Sequence, residues 1–86
     1  MFSITCSELS FEQLRRISDL YPSRKGNLVA SLKAVREFLS HDPLGCSESR
    51  QNRDRVCIVS PLTFFFTIDF QHDTVEIIQI FFNVKT

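Results

Sequence analysis

Glycine is nearly absent. Gly26 and Gly45 are the two glycines of an 86-residue chain, so a glycine-rich loop that wraps backbone amides around a phosphate is excluded. The three cysteines, Cys6, Cys46 and Cys57, form no CxxC pair and have no histidine close in sequence to complete a metal cluster. They read as reduced thiols of an intracellular protein, with no metal or cofactor expected. Charge of one sign is also missing: ten Lys and Arg balance ten Asp and Glu, which removes the long-range attraction that draws nucleic-acid binders to phosphate. Any nucleic-acid site must be a local patch. No apolar run approaches the length of a bilayer span, and Met1-Phe2-Ser3-Ile4-Thr5-Cys6 lacks the basic start and sustained apolar stretch of a signal peptide. A cytoplasmic chain with no membrane partner is the expectation.

What the chain has is 86 residues with a 43% apolar share, long enough for one compact domain and too short for two independent cores, so residues 1–86 are expected to form a single domain. Phe2, Ile4 and Cys6 alternate with Ser3 and Thr5 as in a short strand. Ser10-Phe11-Glu12-Gln13 matches a capping box and predicts a helix starting there. Phe11, Leu14, Ile17 and Tyr21, with Leu20 beside them, supply its apolar stripe until Pro22 closes it. A second stripe of Leu28, Leu32, Val35 and Leu39 predicts a second helix, capped by Ser23 or Asn27 and ended by Asp42-Pro43-Leu44-Gly45. The short connection implies an antiparallel pair.

Gly45 to Asp54 is strongly polar and reads as an exposed loop. Three β-type runs follow. Arg55 to Ser60 places Val56 and Ile58 opposite Cys57 and Val59, and Ser60-Pro61-Leu62 turns. Thr63 to Asp69 sets Phe64, Phe66 and Ile68 opposite Thr63, Phe65 and Thr67; Phe70 to Asp73 turns, and Thr74 to Asn83 returns. The fold class is therefore α+β: an N-terminal strand, an antiparallel helix pair, then a three-stranded antiparallel meander. Two helices cover one sheet face, yet Phe64-Phe65-Phe66 and Ile77-Ile78 through Ile80-Phe81-Phe82 are apolar on both faces. Either the sheet curls around its own core or a partner chain covers the second face.

This order of elements, with a polar arginine-bearing loop leading into the meander, resembles the RelE/ParE superfamily of bacterial toxin–antitoxin systems over almost the whole chain. It looks most like small variants carrying a DPL step at a helix end (Asp42-Pro43-Leu44), an Arg-Val strand start (Arg55-Val56), a turn like Ser60-Pro61-Leu62, and an F-x-I/V-D strand (Phe66-Thr67-Ile68-Asp69). Order and spacing carry the likeness rather than any one motif. The resemblance implies a toxin-like protein of a type II system, neutralised by an antitoxin, that either cuts ribosome-bound messenger RNA or inhibits DNA gyrase. In the nuclease branch, basic groups projecting from the sheet and a basic or aromatic residue near the C-terminus neutralise the phosphate, activate the ribose 2′-OH and stabilise the phosphorane.

Arg55 stands where the family's arginine at the start of the meander would lie, which makes it the candidate catalytic residue. Arg50, Arg53 and Arg55 together are the candidate phosphate-binding group, since guanidiniums grip phosphate bidentately; solvated loop charges beside Glu48 and Asp54 are the plainer reading. The chain departs from the pattern at its end, where Ile80-Phe81-Phe82-Asn83-Val84-Lys85-Thr86 offers no arginine, histidine or tyrosine. Asn83 can hydrogen-bond phosphate but is neither acid nor base, and Lys85 is close to a terminus. His41 suits a helix C-terminus and His72 a turn; Asp69 and Asp73 read as turn formers, and Cys57 as a small core residue. A toxin, and alternatively a catalytically silent binding module on the same fold, are the two functions in view.

Overall fold

The computed structural model describes residues 1–45, 48–49 and 54–83. Strand β1 (Ser3–Cys6) leads into helix α1 (Glu8–Leu20), a 3₁₀ turn (Pro22–Arg24) and helix α2 (Lys25–His41). Strands β2 (Glu48–Ser49), β3 (Arg55–Val59), β4 (Leu62–Asp69) and β5 (Thr74–Phe82) follow. They form one sheet in the order β1-β5-β4-β3-β2, antiparallel except where β1 runs parallel to β5. The meander is as the alternation predicts. The polar stretch after Gly45 is not all loop, however: Glu48 and Ser49 pair with Val56 and Arg55 as a short edge strand.

The first helix starts earlier than the capping box suggests. Ser7 is the N-cap, and its hydroxyl accepts from the Ser10 amide at 3.1 Å. Ser10 sits inside the helix, buried, with its own hydroxyl donating to the Ser7 carbonyl. Shifting the start changes the inward stripe: Ser10 and Ile17 are buried, Leu14 and Tyr21 pack against the core, and Phe11 and Leu20 stay exposed. A small serine against the sheet lets the helix sit close to it, and Phe11, one position on, is turned aside.

α2 follows the 3₁₀ turn without a side-chain cap, so neither Ser23 nor Asn27 serves as one. Its buried stripe is Leu28, Ser31, Val35 and Leu39. The Ser31 hydroxyl donates to the Val59 carbonyl of β3, while the Ser40 carbonyl accepts from the Phe2 amide ahead of β1, so α2 spans the sheet. Leu14 and Ser18 of α1 face Lys25, Leu28, Val29 and Leu32 of α2 across a cleft of about 180 Å³. At the end of α2, Asp42 accepts from the Gly45 amide at 3.0 Å, and a Cβ at Gly45 would collide with the Asp42 carboxylate. A side chain there would have to displace the exposed Asp42 carboxylate, while the Gly45 backbone is not in the left-handed region.

Helices and sheet enclose a core of Val35, Leu39, Leu62, Phe64, Phe66, Val75, Ile77 and Ile80, each at or near zero exposure. In β5, Phe65 pairs with Gln79 but Phe66 pairs with Ile77, so Ile78 is an inserted bulge residue. The bulge accounts for part of the two-faced apolar pattern: it shifts the phase of the strand so that Val75, Ile77 and Ile80 all point into the core. Beyond Cys6, where β1 leaves the sheet, α1 takes over the edge of β5. The Ser7 amide donates to Ile77, the Ser7 hydroxyl to the Ile78 carbonyl at 3.0 Å, and Gln13 accepts from the Ile80 amide at 2.7 Å.

Candidate functional site

Antiparallel partners share a face, so the register fixes which side chains the helices leave uncovered. Four rows cross the open face. Ser3, Thr74 and Asp69 form the first, and Thr5, Glu76 and Thr67 the second. Gln79, Phe65 and Val56 form the third, in which Val56 is nonetheless buried, and Phe81, Thr63 and Ile58 the fourth. Both halves of this surface are distinct in chemistry.

The half next to the β4–β5 turn is polar. Thr5, Thr67, Asp69, Thr74 and Glu76 line a concavity of about 380 Å³. Asp69 is organised by the turn: one carboxylate oxygen accepts from the Gln71 and His72 amides, and the other from the His72 ring at 2.7 Å. The hydrogen bond from the His72 side chain lowers the Asp69 pKa from its ordinary 3.8, against the weaker opposing effect of desolvation. Asp73 closes the turn at φ 50°, a conformation that suits an aspartate better than most residues.

The half next to the β3–β4 turn is apolar. Ile58 is 67% exposed and Phe81 44% exposed, and Phe81 meets Phe65 edge-on with ring centres 5.5 Å apart. At its border the Thr63 hydroxyl donates to the Asn83 side-chain oxygen at 2.6 Å, and the Asn83 amide donates to Pro61. Asn83 is thereby engaged in closing the sheet end.

Among the candidate arginines, Arg55 is opposite Phe66, on the helix-covered side of the sheet, and its guanidinium reaches the Leu44 carbonyl at 3.5 Å. It ties the start of β3 to the exit of α2. Arg50, Arg53 and Lys85 lie outside the described residues. No Lys or Arg occurs among the described residues of these four rows, which include the acids Asp69 and Glu76 and, through its pairing with Val56, Glu48.

A second concavity lies at the sheet's other end. Arg24, Asn27, Ser31, Ser60 and Pro61 border a groove of about 410 Å³. Nearby, Tyr21 stacks on Phe82 at 4.4 Å and the Arg24 guanidinium lies 5.7 Å from the Phe82 ring. Sequence reading missed this cluster because its members come from the C-cap of α1, the 3₁₀ turn, α2, the β3–β4 turn and β5, with no common spacing. No group of three metal-type ligands occurs among the described residues, and none of their helices is long and apolar enough to cross a membrane.

No protein-family model matches the chain, and no curated protein sequence does. Among solved structures, a chain of the RelBE2 toxin–antitoxin complex from Mycobacterium tuberculosis matches with a TM-score of 0.80 at 18% sequence identity. The match covers 98% of this chain and 93% of that one. The likeness extends over nearly the whole of both chains, and the chain therefore has the RelE/ParE-like α+β fold that its order of elements resembles.

Proposed function

We propose that this chain is a toxin-like protein of a type II toxin–antitoxin pair, bound and neutralised by an antitoxin. The observation that carries the reading is the fold likeness over nearly the full length of both chains, to a member of a toxin–antitoxin complex. The exposed Ile58 and Phe81 on the uncovered sheet face supply a surface such a partner would cover. Ribosome-bound messenger RNA and DNA gyrase are the targets proposed for it. Arg50, Arg53 and Arg55 are the groups proposed to meet phosphate, Arg55 with the double task of holding the α2 exit.

A specific observation favours a second reading, the catalytically silent binding module. Cleavage of RNA on the sheet needs cations aimed at the phosphate, whereas the open face presents Asp69 and Glu76, which repel it. Gyrase inhibition falls between the two, since it does not require the nuclease residues. Regulated expression in bacteria tests the reading: growth arrest supports a toxin, and free growth with folded protein in the cells supports the silent module.

A further inference from the structure

We propose that the open face of the sheet receives a segment of a partner protein that sets an apolar side chain over Ile58 and Phe81 and a lysine or arginine over Glu76 and Asp69. The inference deepens the reading above, on which it rests for the partner's being the neutralising protein, and adds the chemistry of what that partner presents.

The two halves of the face fix the spacing. Phe81 and Ile58 flank Thr63 of β4, and Glu76 is beside Thr67 of the same strand, a separation of four residues or about 13 Å along an extended chain. An extended segment lying along β4 meets both halves with residues four positions apart, since side chains at even spacing share a face. The apolar half provides the contact area, with Ile58 67% exposed where β3 pairs with β4 but lies beyond the reach of β2. Thr5, Thr67 and Thr74 surround the acids with hydroxyls that can share hydrogen bonds from a guanidinium or ammonium. Glu76 makes no ion pair among the described residues, and Asp69 pairs with His72.

Other occupants fit worse. A nucleic-acid strand would bring phosphates against two carboxylates. A second copy of the chain, packed face to face, would bury Asp69 and Glu76 against a face that contains no lysine or arginine among the described residues of its four rows, leaving charges uncompensated. A basic, partly apolar segment satisfies both halves at once.

Selection of a random-peptide library displayed on phage against the full chain tests this. Enriched sequences are expected to carry Lys or Arg four positions from Leu, Ile, Val or Phe. Binding of an enriched peptide is expected to weaken about tenfold in the Asp69→Asn/Glu76→Gln variant and in Ile58→Ser/Phe81→Ser, as loss of a complementary charge or anchor requires. Circular dichroism verifies that each variant is folded. Peptide-induced resonance shifts should fall on Thr5, Thr67, Glu76 and Ile58 of the labelled chain. Enrichment of acidic peptides, no enrichment, shifts confined to the helices, tighter binding of oligouridine at this face, or self-association through it would each overturn the proposal. The selection reads the face whether or not the chain arrests growth, so its failure beside growth arrest rejects the surface and leaves the toxin reading standing.

Discussion

At Ser31 a hydroxyl occupies a position that the apolar stripe of α2 would fill with a hydrocarbon. It is 3% exposed and donates to the Val59 carbonyl, so it joins helix to sheet where a larger side chain would push them apart. Ser31→Ala is expected to lower unfolding stability by about 1–2 kcal/mol, the cost of leaving that carbonyl without its donor, measured by urea denaturation. Asp69 gives a second test at this scale. Its folded-state pKa is lowered by the His72 side-chain hydrogen bond, so its contribution to stability is present above the ordinary value of 3.8 and is lost as pH falls through the lower folded value. Asp69→Asn should flatten that part of the acid profile, followed as thermal midpoint against pH, with only a small change because the pair is exposed. Asp69 and Asp73 as turn formers were legible from residue type alone. Ser31 was not, because a serine between Leu28 and Val35 has the signature of an ordinary polar helix position until its partner in β3 is known.

Among the elements, α1 and β5 depend on each other. β1 ends at Cys6, and the edge of β5 beyond its bulge is then satisfied by Ser7 and Gln13 of α1. Gln13→Ala is expected to cost about 1–2 kcal/mol by orphaning the Ile80 amide, with accelerated hydrogen exchange at Ile80 as the site-specific readout. Ser7→Ala should cost about 1 kcal/mol as loss of an N-cap. An intact cap in Ser7→Ala, judged by unchanged stability and Ser10 amide exchange, would contradict the assignment. The sequence pattern placed this start at Ser10 because Ser10-Phe11-Glu12-Gln13 has the spacing of a capping box, but Gln13 is claimed by the sheet rather than by its own helix. β5 misleads for a related reason: strict alternation makes Ile77 and Ile80 opposite in facing, and only the bulge at Ile78 brings both into the core. The meander itself was readable because Pro61 and the Phe70–Asp73 turn bound its strands and buried residues alternate from Leu62 to Phe66 of β4, although Val56 and Cys57 of β3 are both buried. β2 escaped notice, since two polar residues carry no periodic signal.

For the whole molecule, the layer of two helices on one side of the sheet leaves the other side open, and that division was visible as surplus apolar residues in β4 and β5. Which half of the open face is apolar and which acidic was not visible, because it follows from cross-strand register: Glu76 meets Thr5 and Thr67 only through the pairings of β5 with β1 and β4. The candidate arginines illustrate the same limit. Arg55 was singled out by position at the start of the meander, and register turns it toward the helix side and the Leu44 carbonyl. Growth and messenger-RNA integrity should be followed in bacteria expressing the chain from a tightly regulated promoter, beside Arg55→Ala and an Arg55→Lys control that keeps the charge. Growth arrest on induction of the unmodified chain is the expected result, with cleaved message relieved by Arg55→Ala if the target is ribosome-bound RNA and intact message if it is gyrase. Unimpeded growth, with the folded protein recovered from those cells, would contradict the toxin reading and leave the silent binding module.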